Sequence, residues 1–70
     1  MATVKHQIAE HDVVALREPV DAWPAGTSGT VVSDYGETKL IEISDDSGAT
    51  LDLIQAPLAK LDVTWRAAQH

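Results

Sequence analysis

Histidines, paired carboxylates and serines beside glycines are the residues of this chain whose types and spacing could carry chemistry. His6, His11 and His70 lie toward the two ends of the sequence. A metal site needs ligands held by ordered neighbours, and two histidines with no third partner supply neither fixed spacing nor a full ligand set, so these imidazoles are expected in solvent. Asp45-Asp46 and the pair Asp34 and Glu37 each sit near a glycine. Calcium needs several oxygens wrapped by one loop. The run D-D-S-G is too short for that and lacks the later acid of a calcium loop, whereas Asp and Gly together are ordinary turn chemistry.

Glu42 and Asp52 are expected on the outer faces of neighbouring strands. Two carboxylates do acid and base work only where burial pulls their pKa values apart, and an outer face is wet. Ser28, Ser33, Ser44 and Ser47 have no histidine placed near them by sequence, and no G-x-S-x-G elbow is present. Gly26-Thr27-Ser28-Gly29-Thr30 lacks the G-K-[ST] ending of a phosphate loop and precedes a strand pattern where such a loop precedes a helix. The expectation is therefore no catalytic residue, no metal, no cofactor and no enzyme. A chain of 70 residues is also not expected to enclose a cavity of several hundred cubic ångströms without dimerising.

Trp23, Tyr35 and Trp65 are the entire aromatic content. Trp23 and Tyr35, with the nearby acids Glu18, Asp21, Asp34 and Glu37, form the candidate binding face, a small aromatic patch able to stack on proline or a flat apolar group. The competing reading is that Trp23 lids a small core with its indole edge in water. Trp65 is read either as packing on the core or as part of an interface.

The elements that must position these residues are strands. In D-V-V-A-L-R from Asp12, period-two geometry places Val14 and Leu16 on the core face. The segment E-P-V-D-A-W-P-A-G-T-S-G then carries Pro19, Pro24, Gly26 and Gly29, a density of turn formers that predicts a long loop. S-G-T-V-V-S-D-Y resumes a strand, and Gly36 makes a hairpin into T-K-L-I-E-I-S, with Ile41 and Ile43 on one face. Asp45 to Gly48 form a second turn, followed by T-L-D-L-I, where Leu51 and Leu53 alternate against Asp52. Pro57 opens one helical turn, and Lys60 to Val63 form a last strand with Leu61 and Val63 facing alike. Residues 1–11 read as a loosely held arm, 12–63 as the domain and 64–70 as a tail. No window shows helical spacing of large apolar groups. The fold expected is all-β: a small five-stranded, partly open SH3-like barrel with one short 3-10 turn before the last strand.

Composition bounds what such a domain can be. Of the apolar residues ten are alanine, there is no Phe, and Val, Ile and Leu number seventeen, so the core must be small and aliphatic. Absence of cysteine removes disulfides and thiolate sites, and no run approaches a membrane span, so a soluble cytoplasmic protein without membrane contact is expected. The start M-A-T-V-K-H-Q-I-A-E-H-D also lacks the apolar run of a signal peptide. Eleven acids against five bases give a formal net charge of -6, which disfavours phosphate partners and favours a basic protein partner. A homodimer is compatible with the sequence.

Asp12 to Leu16, Gly26 to Val32 and Leu40 to Ile43 resemble an uncharacterised family of small bacterial SH3-like barrel proteins, a domain of unknown function. Its members carry a D-x-V-x-L first strand, a G-x-x-G-x-V-V second strand and a V-E-F-like third. The resemblance covers residues 10 to 63, with Ile43 standing where an aromatic is usual and D-A-W-P-A-G its own loop. The second element is also similar to KOW, photosystem accessory and nitrile hydratase β-subunit barrels, which share a fold and not an activity. The resemblance implies no reaction and no cofactor, and a protein partner such as a basic toxin bound by an antitoxin or immunity protein. The expectation is a non-catalytic protein-interaction module, an antitoxin, immunity or accessory protein. The alternative is a nucleic-acid-binding KOW or Tudor-like barrel.

Overall fold

A computed structural model describes residues 8–67. Five strands, β1 (Val13–Leu16), β2 (Ser28–Asp34), β3 (Thr38–Ser44), β4 (Thr50–Pro57) and β5 (Leu61–Trp65), with a 3-10 turn at Leu58–Lys60, make up the regular structure. They form one antiparallel sheet in the order β4-β3-β2-β1-β5. The sheet is not closed, since β4 and β5 stay at its two edges. The expected all-β, five-stranded, partly open architecture with one 3-10 turn before the last strand is the one observed. No helix among the described residues is long and apolar enough to cross a membrane.

Period-two burial builds the core. Val14 and Leu16 of β1, Val31 of β2, Ile41 and Ile43 of β3, Ile54 and Ala56 of β4 and Leu61 of β5 all turn inward, and Ile8 and Val20 join them from outside the strands. Two of these corrected the reading from sequence. On β4 the buried residues are Ile54 and Ala56, whereas Leu51 and Leu53 are 55% and 54% exposed. T-L-D-L-I-Q-A-P holds apolar residues on both parities, and the cross-strand pairs Ile41 with Ile54 and Ile43 with Asp52 decide between them. Asp52 therefore shares the inner parity of the strand, and Glu42, paired with Leu53, lies on the opposite face, so the two carboxylates are not neighbours on one wet surface.

Neither end is loose where it is described. The expected arm 1–11 is packed from Ile8 onward: Ile8 is buried, the His11 amide donates to the Val31 carbonyl at 2.7 Å, and the Asp12 amide donates to Ala9 at 3.1 Å. The expected tail begins as strand, because β5 runs on to Trp65, which pairs with Val13. His6 and His70 lie outside the described residues. The long loop after β1 contains a two-residue bridge between Val20 and Trp23, closed by reciprocal amide bonds of 2.9 Å.

At Gly29 β2 lies tight against β3. A Cβ built there would meet the Ile41 Cγ2 and come within 2.9 Å of the Glu42 carbonyl oxygen, a backbone atom that cannot swing aside. Gly29→Ala is expected to lower the stability measured by urea denaturation by about 1–3 kcal/mol, the usual cost of overfilling a packed site.

Candidate functional site

Three charged or polar ties fix the margins of the sheet, and what they leave over defines the candidate site. Asp12 is 2% exposed, and its carboxylate joins the two ends of the described chain. Oδ2 accepts the Ala9 amide at 3.0 Å and Oδ1 accepts the Ala67 amide at 2.9 Å, with the Arg66 guanidinium 3.8 Å from Oδ2. Lys39 lies on the inward parity of β3 beside Ile41, so its stem is buried and its amine is carried to the β2–β3 hairpin. There Nζ donates to Asp34 Oδ1 at 2.5 Å and to the Gly36 carbonyl at 2.8 Å. Gly36, at a φ of 87°, donates its amide to the same Asp34 oxygen at 2.9 Å.

The third tie is Trp23. Its ring packs on the core from the β1–β2 loop and its Nε1–H donates to Asp52 Oδ2 at 2.8 Å. Trp23 therefore lids the core as the competing reading had it, with the indole N–H given to a carboxylate. The other oxygen, Asp52 Oδ1, accepts the Leu53 amide at 2.9 Å.

The structure does not bring Trp23 and Tyr35 together. Trp23 is bound to Asp52, which pairs with Ile43, whereas the Tyr35 amide bonds Thr38 at the other end of β3. Five residue steps of strand separate those anchor points, about 16 Å at the usual rise. Asp34 and Glu37 stay with Tyr35 at the β2–β3 hairpin, and Asp21 sits in the loop with Trp23 at a φ of 52°. Glu18 is exposed next to Arg17, which pairs loosely with Asp62 at 3.5 Å. The six residues are thus parts of separate surfaces.

Sequence reasoning missed two other features. An open groove of about 530 Å³ is lined by Ile8, Arg17, Glu37, Pro57, Leu58 and Ala59. It is a cleft of the size that holds small molecules, which a chain this short was not expected to form, but it is open on one side and carries only one cation and one anion. The second feature is the outer side of β4. Leu51 and Leu53 are exposed on an edge strand, and Glu42 lies across from Leu53 with its carboxylate bonded to the Thr50 hydroxyl. From residue 40 to residue 59 the sequence carries four acids, Glu42, Asp45, Asp46 and Asp52, and no Lys or Arg. The parity of Ile54 and Ala56 was the signal that could have placed the leucines outside.

Asp45 is consumed by its own turn, where Oδ1 accepts the Ser47 hydroxyl at 2.7 Å and the Ser47 and Ala49 amides at 2.9 Å. Among the described residues no group of three or more His, Asp or Glu side chains could hold a metal ion. His11 is exposed at a φ of 76°.

Two carboxyl pKa values follow from these bonds. The Lys39 ammonium, then the Gly36 amide, hold Asp34 below its ordinary 3.8. The Ser47 hydroxyl, then the Ala49 amide, do the same for Asp45. A carboxyl depressed in the folded state stabilises the fold above its unfolded value, and that stabilisation is lost as pH falls through the folded one. Urea denaturation is therefore expected to show stability falling as pH drops below the ordinary carboxyl value of 3.8, with a shallower slope in the Asp34→Asn, Asp45→Asn double variant. In a Trp65→Phe background, Asp52→Ala is expected to shift Trp23 emission to longer wavelength and to cost about 0.5–1.5 kcal/mol, the net worth of one hydrogen bond.

Compared with known proteins, the chain matches no family model, no curated protein and no solved structure.

Proposed function

We propose that this chain is a non-catalytic protein-interaction module that binds a basic protein partner, in the manner of an antitoxin, an immunity protein or an accessory subunit. The observation that carries the reading is the outer side of β4, where Leu51 and Leu53 are more than half exposed at a sheet edge. Large apolar side chains adjacent on an exposed edge are what protein partners cover, and they are an aggregation hazard when nothing does. The neighbouring carboxylates, uncompensated by any cation between residues 40 and 59, favour a partner of positive charge and quicken its approach.

Strand order and the 3-10 turn before β5 support the SH3-like reading of the fold, and with it the family resemblance. The binding surface moves, however, from the Trp23 and Tyr35 face to β4, because Trp23 is committed to the core and to Asp52. Nucleic acid is disfavoured by the same charges: Arg17, Lys39 and Arg66 each lie beside a carboxylate, which leaves little to neutralise phosphate. A chain without cysteine suits a reducing cytoplasm, where this reading places it.

The test is capture from a native lysate by the immobilised protein. A specific partner recovered by the wild type is expected to be lost with Leu51→Lys, Leu53→Lys and retained with Tyr35→Ala. Equal recovery by the double variant would remove the β4 surface from the reading.

A further inference from the structure

The reading of β4 as a binding surface leaves open what shape of partner it takes, and the backbone of the strand answers. Pro57, which has no N–H, pairs with Thr38 across the β3–β4 ladder. In an antiparallel ladder residues alternate between bonding the partner strand and facing away from it, so Leu53 and Gln55, on the same parity as Pro57, direct their amides to the open edge. The Leu53 amide agrees: its acceptor is the side chain of Asp52. The edge thus offers a row of backbone donors and acceptors beside two exposed leucines.

We infer that this edge accepts an extended, cationic segment of another protein by β-strand addition, a segment in which apolar residues alternate with Lys or Arg. The inference rests on the proposed role of β4 as the binding surface and names its occupant. Main-chain bonds to the edge supply the docking, and alternate side chains supply the selectivity. Apolar side chains of the added strand lie next to Leu51 and Leu53 on the outer face. Those between them lie on the side of Asp52, where a cation meets a carboxylate. Glu42 lies on the outer face with the leucines, and Asp45 and Asp46 add negative charge at the adjoining turn.

Two features separate this occupant from a second copy of the chain. Each copy carries a formal charge of -6, so pairing β4 with β4 sets like charge against like. A strand of 8 residues is also well short of the roughly 20–30 residues per side of a stable dimer, whereas a short peptide needs no more than the strand itself. The usual guards of an exposed edge are lysines, prolines and bulges. β4 has no lysine; it carries Pro57 at one end and a bulge at Leu51 near the other, and between them the guard is the Asp52 carboxylate on the Leu53 amide. An arriving carbonyl replaces that carboxylate oxygen at the amide and leaves the oxygen to face the incoming cation. Trp23, bonded to the other oxygen of the same carboxylate, stands next to the event.

The experiment titrates the full chain, isotopically labelled, with three capped synthetic peptides and follows backbone amide signals by NMR. One alternates Lys with Val, one alternates Glu with Val, and one alternates Lys with Ser. The Lys-Val peptide is expected to move the amides of Leu51, Leu53 and Gln55, while the other two bind at least about tenfold more weakly, as loss of either charge or apolar matching requires. Leu53→Lys, a change at an exposed position, is expected to weaken the Lys-Val peptide by about tenfold or more, and Tyr35→Ala to leave it unchanged. Absence of Lys-Val binding, equal binding of the Glu-Val peptide, or shifts confined to the groove at Arg17 and Glu37 would each overturn the inference. So would concentration-dependent shifts of β4 without peptide, which would assign the edge to a second copy. If lysate capture depends on Leu51 and Leu53 while the Lys-Val peptide fails, the occupant is wrong and the binding surface stands; if neither depends on them, both fall.

Discussion

A carboxylate at 2% exposure has to find its hydrogen bonds within the protein, and Asp12 finds them at both ends of the described chain. One oxygen holds Ala9 and the other holds Ala67, with a guanidinium close by. Left unmet, such a charge would cost more than this small sheet could bear, so its partners are obligatory. They bring Ile8 into the core and keep β5 beside β1 as far as Trp65. In a chain this short, two edge segments fastened by one side chain are a large share of the structure.

The same economy governs the rest of the margin. An aliphatic core with no Phe has little to spare for its loops, which are pinned by polar bonds. Lys39 reaches out from beneath the sheet to close the β2–β3 hairpin, and Asp52 reaches across from β4 to hold Trp23 over the core. Asp45 closes the β3–β4 turn with bonds to its own neighbours. Together with Asp12, these bonds engage Arg66, Lys39 and the Trp23 indole. What remains is a sheet edge with leucines on it and an anionic turn beside it.

Edges of this kind are normally defended, because unpaired backbone groups invite pairing. Here Asp52 both caps an edge amide and latches the loop, so one carboxylate links the edge of the sheet to the lid of the core.

By itself the sequence determined the class of fold. Alternation at Val14 and Leu16, at Ile41 and Ile43 and at Leu61 and Val63, with glycine and proline between the runs, is enough to specify five strands and a helical turn at Pro57, because period two and turn chemistry are local properties. Net charge and missing cysteine were equally legible. Tertiary structure alone decided the site. T-L-D-L-I-Q-A-P has apolar residues on both parities, and only pairing of Ile54 with Ile41 turns Leu51 and Leu53 outward and Asp52 inward. Trp23 and Tyr35 both read as exposed aromatics of neighbouring turns, yet the sheet carries their anchors to opposite ends of β3. Asp12 gave no sign of meeting Arg66 and Ala67 near the other terminus, since contacts over that separation are set by strand order, which no local pattern encodes.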